Sequence, residues 1–588
     1  MRTRPSAVAV LLAVAALAMT GCASIPDHGV VHTADSTTDK QVDAEFTPAG
    51  PQPGARPAEL VDQFLIAMKA QPVTSEIARK FLTDKAASEW DPNRETVVYD
   101  SETQRSKSGD RIELVLDTYA TLGQRGAFEP AFGTDRTIDL KFKKEHGQWR
   151  ISNPPNSYLL TQSQFETNYL PISLYFVADS HRAVVPEPVF LPEGDQLATS
   201  AMTGLLAGPS DGLGATATTF LPEGTDLEVS VRVSDAGIAE VRLTGDLDDL
   251  DSDARQLMSA QIVLTLRQVP SVEGVRLLVD DVPYDVPGVG EVQASNAWSR
   301  YDPSVSSEPS DLFAMRDGRL VVIQDDEVHE FAGPWEGKRG DIDDFAVNAS
   351  EDRIAVIDDG RTTASEGSLA INATERRTVL VGNHLLAPHW DPLGWLWLVD
   401  ARQESTSVAS WRRGSKLRSI PIGALDGKRV LSTSISPDGA RFAAIAAPPG
   451  SKDGRATEVY VGFIRRTSKD NAPVSVENVR RVRLDSSSLR NIRSLAWRDA
   501  THLVLLADRG SVHGQPYVVA IDGSSITGGL TVGQAPLPDV GAVSVAASGR
   551  ISDPIYVTDD DGGVWKLDST QRWAEISDEK MWTPHYAG

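Results

Sequence analysis

One cysteine occurs in 588 residues, Cys22, so any thiol chemistry in this chain rests on that position. Few other residues are spaced for chemistry. Gly208-Pro-Ser-Asp-Gly212 carries the G-x-S-x-G pattern of a serine nucleophile, which needs a strand before it and a helix after it to project the Ser from a strained turn. Here a helical pattern precedes it, Pro209 stops that helix and Gly212-Leu-Gly214 continues as loop, so Ser210 reads as a turn residue. The acidic run Asp246-Leu-Asp-Asp-Leu-Asp-Ser-Asp253 invites a calcium loop, but an EF-hand started at Asp249 would need Gly and Glu where Ala254 and Ala260 stand. Carboxylates ahead of a helix N-terminus, stabilised by its free N–H groups and dipole, are the simpler reading. Asp559-Asp-Asp-Gly-Gly563 reads as a hairpin turn between two short strands. His384 and His389 flank Pro388 and share no helix face; neither H-E-x-x-H nor a G-x-x-x-x-G-K-[ST] phosphate loop occurs. No catalytic set, metal or cofactor is expected, and the chain reads as a non-enzyme. Arg465, Arg466, Arg480, Arg481 and Arg483 cluster in an otherwise acidic chain, either on a solvated loop or as a docking site for an acidic partner.

Cys22 ends Met19-Thr-Gly-Cys22, behind Arg2, Arg4 and an apolar run from Ala7 to Met19. That is the layout of a secretory signal. The run is too short to cross about 30 Å of hydrocarbon, which takes roughly 20 apolar residues. The small-small-Cys ending resembles a lipobox, with Met19 where Leu is commonest. The resemblance implies cleavage after Gly21 and a mature N-terminal Cys22 carrying S-diacylglycerol and N-palmitoyl groups. No other stretch is long and apolar enough to span a membrane. The mature chain is therefore expected on the extracytoplasmic face of the cell membrane, held by its lipid. Losing Arg2 and Arg4 with the signal leaves 55 basic against 82 acidic residues, a net charge of −27. Such a chain is repelled by nucleic acid and by anionic headgroups, so neither is an expected partner and the lipid is the anchor. Two acyl chains, at ~0.8 kcal/mol per buried CH₂, make that anchor stable. With one cysteine there is no internal disulfide, and the fold must rest on packed cores.

The elements that would position any site fall into a multi-domain order. Residues 1–21 read as the signal and 22–56 as a lipidated, disordered tether rich in Asp, Thr, Pro and Gly. An α+β domain is expected over 57–171: Leu60, Phe64, Leu65 and Met68 at helical spacing, a short helix near Ile77 to Leu82, then strands at Ile112–Tyr119, Thr137–Phe142 and Trp149–Ile151. Its closing strand, Gly147-Gln-Trp-Arg-Ile-Ser-Asn-Pro154, resembles the last strand of cone-shaped NTF2-like domains. A second α+β domain is expected over 172–298, with strands at Leu174–Val177, Leu227–Val233, Ile238–Leu243 and Val275–Val279 and helices at Ala198–Leu206 and about Ala254–Gln268. Leu205-Leu-Ala-Gly-Pro209, Leu221-Pro-Glu-Gly224, Glu240-Val-Arg-Leu243 and Ala260-Gln-Ile-Val-Leu-Thr-Leu266 resemble the GerMN domain of envelope and spore-germination proteins.

After a linker over 299–310, residues 311–588 repeat. A polar turn followed by an apolar strand recurs around Ala349, Pro392, Pro437, Asp499 and Ala547, at spacings of 43, 45, 62 and 48 residues. A period in the forties with Ser-Pro-Asp-Gly-like turns predicts a β-propeller of five to seven four-stranded blades, six being the central value. The long step contains Arg465 to Arg483, which reads as an inter-strand loop, and Leu312 to Phe331 adds a strand pair. Trp390, Trp395, Trp397, Trp411, Trp497 and Trp565 are expected to pack blades.

Lipobox, NTF2-like region, GerMN-like domain and propeller, in that order, resemble the LpqB lipoprotein family of actinobacteria across the mature chain. The resemblance implies an accessory of the MtrAB two-component system that contacts the extracytoplasmic domain of the sensor kinase MtrB and affects cell-wall homeostasis and division. An envelope lipoprotein that binds glycan such as peptidoglycan, or acts as a scaffold, is the alternative. A Cys22→Ser variant is expected to fold normally yet leave the membrane fraction; firm membrane retention after signal cleavage, measured by fractionation, would contradict the lipid anchor.

Overall fold

The computed structural model describes residues 46–588 except 303–304, 306–310, 325, 332–334, 336–341, 374, 403–404, 452–455, 485–488, 529–535 and 569. The signal, Cys22 and most of the tether lie outside the described residues. Pro48 and Ala55 are buried, and the Gly54 amide donates to Gln148 Oε1 at 2.7 Å, so the chain joins the first domain before its first helix begins.

Leu60, Val61, Phe64 and Leu65 give α1 (Pro57–Ala67) one buried face, and Pro57 together with Glu59, which accepts from the Arg56 amide, sets its start. With α2 (Glu76–Arg79) and α3 (Asp84–Glu89) it covers a five-stranded sheet. The sheet comprises β1 (Glu95–Ser108), β2 (Arg111–Gly123), β3 (Phe128–Glu145), β4 (Gln148–Ile151) and β5 (Tyr158–Thr161), in the order β4-β3-β2-β1-β5. Along β2, Ile112, Leu114 and Leu116 alternate inward onto the helices. Only Val97, Val98 and Tyr99 anchor β1 in the core, and its polar remainder is largely exposed, which hid this strand from the apolar pattern. A short helix, α4 (Gln162–Asn168), seats Phe165 under the far end of the sheet.

In the second domain β6 (Tyr169–Ala178) pairs with β7 (Val184–Pro192) and, at its end, with β8 (Ala217–Thr218). Pro186 and Pro188 fit because β7 is an edge strand, so their missing N–H groups cost no ladder bond. Two helices, α5 (Leu197–Leu206) and α6 (Ser252–Leu266), pack behind. Polar side chains on buried α6 serve the free edge of β6. Thr265 Oγ1 accepts from the Tyr175 amide at 3.1 Å, Gln261 donates to the Tyr175 carbonyl at 3.1 Å, and Gln268 just beyond the helix bonds both backbone groups of Ser173. A second sheet carries β9 (Asp226–Leu227), β10 (Arg232–Val233), β11 (Ile238–Thr244), β12 (Gly274–Val279), β13 (Val282–Pro283) and β14 (Val292–Ala294). The single strand expected over Leu227–Val233 is thus two. Leu227 faces Leu243 and Val233 faces Ala239, so the longer side must bulge, and Val231 turns inward with its amide on Thr199 Oγ1.

Residues 312–586 form six four-stranded blades. Blade 1 combines Leu312–Arg316, Arg319–Gln324 and Glu327–Glu330 with the last strand, Trp582–Tyr586, which lies innermost and pairs antiparallel with Leu312–Arg316. The five sequence repeats fall on the turns that join innermost to second strands in blades 2 to 6. In the 62-residue step most of the expected loop is strand: Glu458–Arg466 and Pro473–Arg481 are the third and fourth strands of blade 4. Apolar side chains bury both faces of the third strand, Tyr460 and Ile464 toward blade 3 and Val459 and Val461 toward blade 5, whereas the fourth strand buries only Pro473 and Val476, and its polar remainder resembles loop.

Aspartates fix many of the turns. Asp391 Oδ1 accepts from the Leu393 and Trp395 amides while its Oδ2 takes the Trp397 indole N–H. Asp559 repeats this with the Asp561 and Gly563 amides and the Trp565 indole. Trp390, Trp395, Trp397, Trp411 and Trp497 are buried between or within blades, as expected of packing residues. Phe345 is fully buried where blades 1 and 2 meet. Phe345→Ala is expected to cost about 3–5 kcal/mol, measured by denaturant unfolding.

Candidate functional site

The innermost strands enclose a channel of about 1280 Å³. Within it the closing strand supplies His585, the innermost strand of blade 2 supplies Asp344, the turn after Asp358 supplies Arg361, and blade 3 supplies His389. His585 Nε2 lies 3.2 Å from Asp344 Oδ1, and an Arg361 guanidinium N–H donates to Asp344 Oδ2 at 3.3 Å. Burial alone would push the Asp344 carboxyl up; the hydrogen bond and charge of His585, with the Arg361 charge, outweigh it and hold the group below its ordinary value. Burial pulls His389 down to about 4, and the neighbouring His585, at 6.5 Å between ring centroids, adds to the shift. The cluster ties three blades together. The Asp344 carboxylate is held between the His585 imidazole and the Arg361 guanidinium, and among the described residues no hydroxyl side chain bonds either imidazole. Asp344 and His585 are 241 residues apart, and no sequence pattern links them; only His389 stood out in the sequence.

The other candidates resolve into structure. The Ser210 amide donates to Glu187, and Ser210 Oγ accepts from the Leu213 amide, in a loop that follows α5 and leads into a single 3-10 turn. Asp251 caps α6 by accepting from the Ala254 amide at 2.8 Å. Asp559 to Gly563 form the expected hairpin turn. Among the described residues no group of three or more His, Cys, Asp or Glu is arranged to hold a metal. Of the arginine cluster, Arg465, Arg466, Arg480 and Arg481 lie on strands, and Arg480 and Arg483 are exposed. Arg466 is buried and bonds Asp391 Oδ2 at 2.7 Å and the Gly439 and Asn471 carbonyls, whereas Arg465 pairs with Glu477 and Arg481 with Glu458.

The most buried arginine among the described residues of the propeller is Arg441, at the end of the Ser436-Pro-Asp-Gly turn of blade 4. Its guanidinium donates to Asp438 Oδ2 at 2.9 Å, to the Ala500 carbonyl of blade 5 at 3.3 Å and to the Pro186 carbonyl of β7 at 2.5 Å. Ala440 sits in the core of the second domain, and Phe463 of blade 4 rests on Gly212. The first domain joins nearby, where the Tyr119 hydroxyl donates to the Ser524 carbonyl and Arg125 donates to the Gly208 carbonyl and pairs with Glu187. Gly523 is at φ +82 there, and a side chain would collide with the Arg483 carbonyl and crowd Pro130. Residues 47–588 form a single compact unit.

Residues 50–166 match the N-terminal domain of lipoprotein LpqB, 173–285 a sporulation and spore germination domain, and 318–587 the lipoprotein LpqB β-propeller domain. Lipoprotein LpqB of Thermobifida fusca is 30% identical, over 88% of this chain and 90% of that protein. The chain belongs to the lipoprotein LpqB family. The family likeness extends to lipoprotein LpqB of Cutibacterium acnes, 25% identical over 98% of each chain, and of Streptomyces avermitilis, 27% identical over 97% of each.

Arg441→Ala strands Asp438 as a buried lone carboxylate and is expected to cost about 3–5 kcal/mol, with Arg441→Met plus Asp438→Asn costing less, both read from unfolding curves. His389 binds its proton more weakly in the folded than in the unfolded state. Between its ordinary value of 6.5 and about 4 the unfolded chain therefore holds the extra proton, and stability falls as pH falls through that window. Melting scans should show that decline, and His389→Gln should flatten it.

Proposed function

We propose that this protein is a lipid-anchored accessory of a membrane sensor kinase, facing away from the cytoplasm and binding the outer domain of MtrB to influence MtrAB signalling. The observation that carries the reading is the family match, three domains in order over nearly the whole chain, combined with their packing into one unit. A rigid unit presents a fixed composite surface at no ordering cost, which suits recognition of a partner held in the same membrane. The homologues' name, lipoprotein, supports the anchor, as does the signal-like N-terminus. No helix among the described residues is long and apolar enough to cross a membrane. The strong acidity favours a partner surface with basic residues and adds a salt-sensitive component to association.

The Cys22→Ser chain, immobilised, should retain purified MtrB outer domain, with retention weakening as salt rises. Retention no greater than that of an unrelated propeller would count against the kinase as partner.

A further inference from the structure

We propose that the central channel of the propeller is a binding site for a neutral, polyhydroxylated ligand, a saccharide. This goes beyond the kinase-binding reading and does not rest on it. The channel's charges come first. Besides the Asp344 cluster, Arg550 pairs with Asp553, Lys566 with Asp326 and Arg493 with Asp508, and Asp311 and Glu351 are likewise engaged. A charged ligand would have to displace one of these partners or go unmatched, and desolvating an unmatched charge is costly. A neutral ligand meets no such cost.

Hydrogen-bonding capacity is left over in hydroxyls instead. Ser432 and Ser434 of blade 4, Ser544 of blade 6 and Thr583 of the closing strand line the channel, each half-buried, and none of their hydroxyls has a partner among the described residues. The innermost strands are paired on one side only, so their other edges add backbone donors and acceptors facing the same space. Thr583 adopts φ 48, a left-handed conformation that a β-branched residue avoids. Such strained residues persist where the surroundings enforce them and cluster at ligand sites. Between the hydroxyls the wall is apolar, with Leu431, Ile435 and the 44%-exposed Val543 open to the channel. Alternating hydroxyl and aliphatic wall matches a pyranose, whose rim carries hydroxyls and whose faces carry C–H. At about 1280 Å³ the channel exceeds the common small-ligand range of roughly 300–1,000 Å³, enough for an oligomer.

Calorimetric titration of the full chain carrying Cys22→Ser tests this, with maltotetraose, cellotetraose and tetra-N-acetylchitotetraose as neutral probes and pyrophosphate and spermine as charged ones. At least one neutral probe should bind saturably at one site. Ser434→Trp, which projects an indole into the channel, should abolish that binding, and Ser432→Ala or Ser544→Ala should weaken it about three- to tenfold. The two alanine variants keep the test open if Ser434→Trp does not fold. Absence of binding by all three neutral probes, unchanged affinity in the variants, or tighter binding of a charged probe would each overturn the proposal. Kinase retention, measured in parallel, stands or falls separately.

Discussion

Arg441 carries a full positive charge into a place with almost no water, its side chain 2% exposed beside an Asp438 that is completely buried. Burial lowers the affinity of the guanidinium for its proton, opposed chiefly by Asp438, yet an arginine remains charged in proteins. The charge must therefore be matched, and the partners that match it lie in different parts of the molecule: its own turn, the next blade and the edge strand of the second domain. Separating the second domain from the propeller would leave that charge short of an acceptor. Apolar contacts around Ala440 and Phe463 add area, but the buried ion pair sets the geometry at which the two domains meet.

Several aspartates of the propeller are spent inside its turns. Asp391, Asp438, Asp499, Asp559 and Asp568 each accept backbone amides of their own hairpin. Three of them then offer the second oxygen to an indole or a guanidinium, which joins turn chemistry to blade packing. Asp391 goes further, since Arg466 reaches it from the neighbouring blade and links blades 3 and 4. Such a propeller is held at its turns by carboxylates with defined partners.

Periodicity made the fold legible wherever one face of an element is buried. The helix after Pro57, the strands around Ile112 and Ile238, the Asp251-capped helix and the six-blade repeat all carry that signature. It was lost where burial is partial or doubled. The exposed arm of β1 carries no apolar pattern, the fourth strand of blade 4 reads as polar loop, and β7 is masked by its prolines. The channel cluster left no trace, because His585 meets Asp344 only after the ring has closed. Nor could spacing show that Arg466 is buried, since its acceptor Asp391 is 75 residues away. Local patterns report which face of an element is dry; they do not report which distant residue makes it so.

Closure of the ring by Trp582–Tyr586 against Leu312–Arg316 also governs the order of assembly. Blades 2 to 6 each draw their strands from one continuous stretch of chain and can zip as successive hairpins. Blade 1 must join strands separated by nearly the whole propeller sequence, a contact of high sequence separation whose loop-closure entropy is met late. Until then blade 1 lacks the strand that brings Tyr586 against blade 6 and His585 against blade 2, and those apolar edges stand open. Before the ring shuts, the protein is an unfinished propeller, the stage at which it is most exposed to proteases and to pairing with the wrong edge.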